Sequence, residues 1–210
     1  MLDVLPAITE TSWEAINDKL NRLAGLSTWV HIDVADNTLT AGTTFLDFTK
    51  FRAVTGGAMS FEAHLLVGQP EKYVRALADA GFKRVIVHVE AEDPRHFMSL
   101  ATYEDMEVGI GIDLTSEIEL LEPFLEEVDF ALIQTNEAGS DKQAFQDESL
   151  EKIRAIHGHF HDLPIEAAGG INPATAKLVS DAGVTRVVSD SYLWQDIGNL
   201  AAALESLRSV

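Results

Sequence analysis

Eight short runs rich in β-branched residues recur along this chain, separated by stretches of helical period, and no other feature constrains the fold as much. The runs cover residues 4–8, 29–34, 60–67, 84–90, 107–113, 129–134, 164–168 and 185–189. In 210 residues they come about every 26, the length of a strand plus its returning helix. Residues 70–80 set Tyr73, Val74, Leu77 and Ala78 on one helical face. Residues 174–182 do the same with Ala176, Leu178, Val179 and Ala182, and residues 118–125 with Ile118, Leu121 and Leu125. A further helix is expected over 45–53. Asp93-Pro94 and Asn172-Pro173 each read as an N-cap followed by proline in the first turn. Gly81 and Gly183 stand where a helix should stop. The pattern predicts an α/β protein, a single (β/α)8 TIM barrel over residues 1–210. A doubly wound open sheet would want a glycine-rich turn after an early strand, where this chain has Thr9, Glu10 and Thr11.

A chain of this length buries about 70% of its unfolded surface and needs no covalent or metal staple to fold. It contains no cysteine, which excludes disulfides, thiolate metal ligands and thiol nucleophiles. Against 15 Lys and Arg stand 34 Asp and Glu, a net charge of −19. Without a basic cluster to displace counterions, nucleic acid is not an expected partner. No apolar stretch approaches the ~20 residues of a membrane span, so no membrane partner is expected either. The opening residues lack the basic and apolar regions of a signal peptide, and the expected location is cytoplasmic.

In such a barrel the functional residues gather at the C-terminal ends of the strands. Residues two apart on a strand share a face. His31 and Asp33 form such a pair on the second predicted strand, Glu62 and His64 on the third, His88 and Glu90 on the fourth. Imidazole and carboxylate are the ligands of zinc, iron, manganese or cobalt. The same three pairs also fit satisfied polar contacts inside a barrel, and spacing alone leaves both readings open.

The run 29–36, with His31, Asp33 and Asp36, resembles the ribulose-phosphate 3-epimerase family. The resemblance continues through residues 62–66, 69–73, Ala80-Gly81, 87–91 and 169–173, in family order across 29–193. It implies a (β/α)8 barrel with one divalent metal (Zn, Fe, Mn or Co) that interconverts ribulose 5-phosphate and xylulose 5-phosphate. Inverting a carbon beside a carbonyl needs a base on one face and an acid on the other, with the enediolate stabilised between. By resemblance, His31, Asp33 and His64 are metal ligands and Asp33 is also a catalytic base. Gly169, Gly170 and Ile171 belong to the phosphate or substrate site. A homodimer or larger homo-oligomer and a small sugar or sugar-phosphate substrate are implied likewise.

Several positions depart from that pattern. The family's second aspartate, both ligand and opposite-face acid, is Ala168 here, which weakens the expected metal site. Glu166 shares that face about 6.5–7 Å deeper and reads as a buried acid paired with a polar neighbour. The expected phosphate loop over 135–143 carries Glu137, Asp141 and Lys142 with one glycine, and Asp190 replaces a glycine after the eighth strand. Ala35, Asp36 and Asn37 stand for Met-Asp-Gly, and Asp113 for the usual asparagine. Thr9, Thr11 and Ser12, near the family's N-terminal serine, read as helix-capping residues. Tyr192 and Trp194 read as packing residues. The resulting expectation is a divergent metal-assisted epimerase. The alternatives are a catalytically inactive relative acting as a binding or assembly module, and an acidic barrel binding an unrelated metabolite.

Overall fold

The computed structural model describes residues 2–55, 57–137 and 144–210. Its strands are β1 (Asp3–Ile8), β2 (Trp29–Ala35), β3 (Ser60–Leu66), β4 (Arg84–His88), β5 (Glu107–Ile112), β6 (Phe130–Gln134), β7 (Ile165–Ala168) and β8 (Arg186–Ser189). They are joined in sequence order as a closed barrel, the β/α fold the periodicity predicts. The α-helices are α1 (Trp13–Leu23), α2 (Glu71–Ala80), α3 (Pro94–Tyr103), α4 (Ser149–His159), α5 (Pro173–Ala182), α6 (Ser191–Trp194) and α7 (Leu200–Arg208). The chain groups into two compact units, Ala7–Gly109 and Met1–Pro6 with Ile110–Val210.

In the unit Ala7–Gly109, β2 and β3 run parallel with His31 beside Glu62 and Asp33 beside His64. β4 follows in parallel, with Ile86 beside His64. Ser12 caps α1 by accepting from Ala15 N at 3.3 Å. The helix expected over 45–53 is a 3-10 helix, Phe48–Ala53, with Asp47 accepting from Thr49 N. Phe48 and Phe51, three apart, are both buried, and a three-residue turn stacks such a pair on one side. Phe51 meets the rings of Trp13 at 5.2 Å, Phe61 at 5.6 Å and Phe82 at 5.1 Å, edge-on in each case, which anchors the long β2–β3 connection to the strands beneath it. Helix α2 buries Val74, Leu77 and Ala80 and stops at Gly81 as expected, with Tyr73 and Ala78 only half-buried.

In the other unit, every residue of β6 and β7 is buried. The expected helix over 118–125 is replaced by two 3-10 turns, Ile118–Leu120 and Glu122–Phe124. Pro123 has no N–H to continue an α-helix, and its ring collides with the preceding turn. Leu121 and Leu125 are buried as expected, but Ile118 only half so. Helix α5 begins at Asn172 with a reciprocal capping box to Thr175. Its buried stripe is Ala176, Val179 and Ala182; Leu178, expected on that face, is exposed, since it lies about 200° around the helix from Ala176. Gly169 has φ 113°, and a Cβ there would fall 2.1 Å from Asn136 Oδ1, so no other residue fits between β7 and the end of β6.

Candidate metal and catalytic site

The polar residues singled out in the sequence lie mid-strand on β2 (His31, Asp33) and β3 (Glu62, His64) and at and just past the end of β4 (His88, Glu90), and the parallel register brings them together. His31 Nε2 lies 3.2 Å from Asp33 Oδ1, and His64 Nδ1 lies 2.9 Å from the same oxygen. These three atoms are within 4.8 Å of one another. The other nitrogen of His31, Nδ1, contacts Glu62 Oε1 at 2.7 Å. His64 Nε2 contacts His88 Nε2 at 2.7 Å, and His88 Nδ1 contacts Glu90 Oε2 at 3.0 Å. The three histidines and Glu62 are buried, whereas the Asp33 side chain keeps 18% of its surface exposed. One carboxylate thus opens from a ring of buried imidazoles.

The register that places Asp33 also places Thr9. Ala7 pairs with His31 and Ile8 with Ile32, so the next residue of the first strand's path stands beside Asp33. Thr9 Oγ1 donates to Asp33 Oδ2 at 2.6 Å. The helix-capping role expected for Thr9 is therefore incorrect, and Ser12 does that work. The signal was legible only through strand pairing, because nothing local to Thr9 points across to β2.

Charge follows from these contacts. Burial alone would raise the Asp33 carboxyl, but the adjoining imidazoles of His31 and His64 hold it well below the usual carboxylate range. Burial opposes a charged His31, yet its hydrogen bonds to Asp33 and Glu62 raise it to about 10. Burial lowers His64 to about 4, opposed by Asp33 and assisted by the neighbouring imidazoles of His88 and His31. Arg84 supports Glu62 from 3.8 Å and also covers the Trp29 ring.

The donor set fits a divalent transition metal: two imidazole nitrogens and one carboxylate oxygen converge, and each histidine has its second nitrogen occupied by another side chain. His31, Asp33 and His64, the three metal ligands expected from sequence, are thus brought together.

A further network fixes the loop after β2. Tyr73 OH donates to Asp36 Oδ2 at 2.8 Å, Thr38 N donates to Asp36 Oδ1 at 3.1 Å, and Gly68 N donates to Thr38 Oγ1 at 2.7 Å. Asp36 is therefore a structural anchor between the ends of β2 and β3.

In the second unit, Glu166 is fully buried and accepts from Arg186 Nη1 at 2.9 Å, the paired acid expected from sequence. Ala168 ends β7 beside Gln134 and Val188. Gly169 and Gly170 both have positive φ, 113° and 65°, and lead through Ile171 into α5. The first amides of that helix are engaged internally: Asn172 N donates to Thr175 Oγ1, and Ala174 N and Thr175 N donate to Asn172 Oδ1. Asp190 lies at the start of α6. Residues 138–143, with Asp141 and Lys142 of the expected phosphate loop, lie outside the described residues.

The ribulose-phosphate 3-epimerase family matches residues 3–194. A ribulose-phosphate 3-epimerase of Schizosaccharomyces pombe is 32% identical over 173 residues, covering 80% of this chain and 75% of that protein. The Bacillus subtilis ribulose-phosphate 3-epimerase is 28% identical over 203 residues, covering 92% and 93%. Among solved structures, a 3-hexulose-6-phosphate synthase superposes with a TM-score of 0.71 at 18% identity, covering 99% of both chains. A phosphoribosyl anthranilate isomerase from Thermus thermophilus superposes with a TM-score of 0.72 at 16% identity, covering 99% of both. At such identities these structures speak for the barrel alone. The length of the family match and the relatives' identity make the chain a member of the ribulose-phosphate 3-epimerase family.

Proposed function

We propose that the chain is a sugar-phosphate epimerase that removes the proton beside the carbonyl of a ketopentose phosphate, with Asp33 as the base. The observation that carries this reading is the convergence of His31 Nε2, Asp33 Oδ1 and His64 Nδ1. These atoms would hold one divalent cation, zinc, iron, manganese or cobalt. Once bound, such a cation supplies Lewis-acid stabilisation of the negative charge that enolisation puts on the substrate oxygens. Asp33 offers the partly exposed carboxylate of the cluster, and it is held in the ionised form that a base requires. Thr9 holds its Oδ2 in place. Gly169, Gly170 and Ile171 are the residues assigned to substrate or phosphate binding. Family membership supports a homodimer or larger assembly and a cytoplasmic location as parts of the same reading, and the whole of 1–210 as one barrel domain. Among the described residues no helix is long and apolar enough to cross a membrane.

The test is proton NMR of ribulose 5-phosphate in D2O with the protein and Co2+ or Zn2+. Deuterium entering at C3 is the expected result, and no exchange with any divalent metal would overturn the reading. Ala168 gives the inactive-relative reading its specific ground, because the resemblance puts the opposite-face acid at that position. Ala168→Asp should raise the yield of xylulose 5-phosphate relative to deuterium exchange. A variant that binds metal yet gains no epimerisation favours the non-catalytic role.

A further inference from the structure

The buried contacts form one line, Glu62–His31–Asp33–His64–His88–Glu90. The reaction proposed above uses only its middle three residues, yet the ends decide which atoms of the middle can act as donors. His31 is simple: its outward Nδ1 meets a carboxylate, Glu62 Oε1, at 2.7 Å. A carboxylate accepts and cannot donate, so His31 Nδ1 carries a hydrogen, and Nε2, facing Asp33, is the nitrogen that gives up its hydrogen to meet a cation.

His64 is oriented in two stages. Its outward Nε2 meets another imidazole nitrogen, His88 Nε2, at 2.7 Å. Such a contact holds one hydrogen, with a donor on one side and a lone pair on the other. By itself it leaves two arrangements. If His88 donates, His64 must carry its own hydrogen on Nδ1 and makes an ordinary hydrogen bond to Asp33. If His64 donates, its Nδ1 lone pair is bare. Glu90 discriminates between them, because its Oε2 lies 3.0 Å from His88 Nδ1 and calls for a hydrogen there. With that hydrogen on Nδ1, His88 Nε2 is the acceptor, and the shared hydrogen sits on His64 Nε2. His64 Nδ1 then faces Asp33 Oδ1 at 2.9 Å as a second lone pair. Two such atoms repel unless a cation lies against both.

We infer that His88 and Glu90 are the positioning residues of this site: by fixing the hydrogen of His64 on Nε2, they turn a hydrogen bond between His64 and Asp33 into a pair of donors for a divalent cation. This rests on the cation-binding reading given above. The steric part of the arrangement points the same way, since the His64 and His88 rings meet edge to edge, Nε2 to Nε2, with centroids 4.9 Å apart, and both are buried. His64 cannot swing away without breaking that contact.

The test compares Co2+ affinity of the unaltered chain with Glu90→Ala, His88→Phe and His88→Gln, by titration of the visible absorbance. Phenylalanine keeps a buried ring at that position and removes the acceptor. Glutamine restores an acceptor oxygen within reach of His64 Nε2. His88→Phe and Glu90→Ala should weaken Co2+ binding about 10- to 100-fold, and His88→Gln should recover most of the loss. Nitrogen-15 NMR of the histidines in the metal-free protein reads the hydrogen directly and should place it on Nε2 of His64.

A hydrogen found on His64 Nδ1, or His88→Phe and Glu90→Ala binding Co2+ as tightly as the unaltered chain, overturns the inference. So does His88→Gln as weak as His88→Phe. Glu90, with 22% of its side chain exposed, keeps the test decisive if the buried phenylalanine prevents folding. An unaltered chain that binds neither Co2+ nor Zn2+ overturns the cation reading itself, and this inference with it.

Discussion

Thr9 shows how much a single hydroxyl can matter at this site. It donates to Asp33 Oδ2 at 2.6 Å, while Oδ1 of the same carboxylate faces two histidines. Charge-assisted bonds of this kind contribute about 1.5–3 kcal/mol and hold geometry as well. Thr9→Val should therefore lower the C3 exchange rate about tenfold at equal Co2+ occupancy, and Thr9→Ser should retain most of it, both followed by NMR in D2O. Tyr73 gives a pH signature outside the metal ligands. Burial and its bond to Asp36 push the phenol up to about 12. A raised folded value means a stabilising contribution that is complete below the ordinary tyrosine range, near pH ~10, and is lost as pH rises toward 12. Urea unfolding of the native chain should thus weaken through that window relative to Tyr73→Phe, which lacks the titrating group. At neutral pH the phenylalanine variant should be the less stable by about 1–2 kcal/mol.

At the scale of elements, caps and stops were readable because they act over three or four residues. Asn172-Pro173 and Gly183 delimit α5 as the sequence indicates. Gly183 is also packed: its φ is 119°, and a Cβ would fall 2.4 Å from His157 Cγ. Gly183→Ala should lower stability by about 2–4 kcal/mol in urea unfolding. Gly158, in α4 with nothing within 4 Å of an added Cβ, should gain about 0.5–1 kcal/mol on the same change. Readability ended where periodicity was broken from within. Residues 118–125 carry apolar spacing suited to an α-helix, and Pro123 turns them into two 3-10 turns. The 45–53 stretch follows its phenylalanine pair at three-residue spacing instead of the 3.6 of an α-helix. Leu178 fits a crude apolar list for α5 but lies off its buried stripe.

At the scale of the whole molecule, a net charge of −19 sets a long-range field against any anionic substrate. Salt shortens that field, from a Debye length of about 30 Å at 0.01 M to about 8 Å at 0.15 M. The KM for a sugar phosphate should accordingly fall several-fold over that range in initial-rate measurements, while an uncharged ketose would show little change.

The sequence by itself determined the eight-fold strand and helix alternation, the barrel class and the family, and it singled out His31, Asp33 and His64, because these depend on periods and motifs within single segments. It also presented Ala168 where the family resemblance calls for an aspartate. Only the tertiary structure decided that Thr9 serves Asp33 instead of capping α1, and that His88 and Glu90 stand behind His64. Those contacts join residues 24 positions apart or depend on which nitrogen of a ring faces which neighbour. Parallel strand register decides which residues meet and side-chain rotamers decide which nitrogen faces which, and both are settled only once the strands have paired.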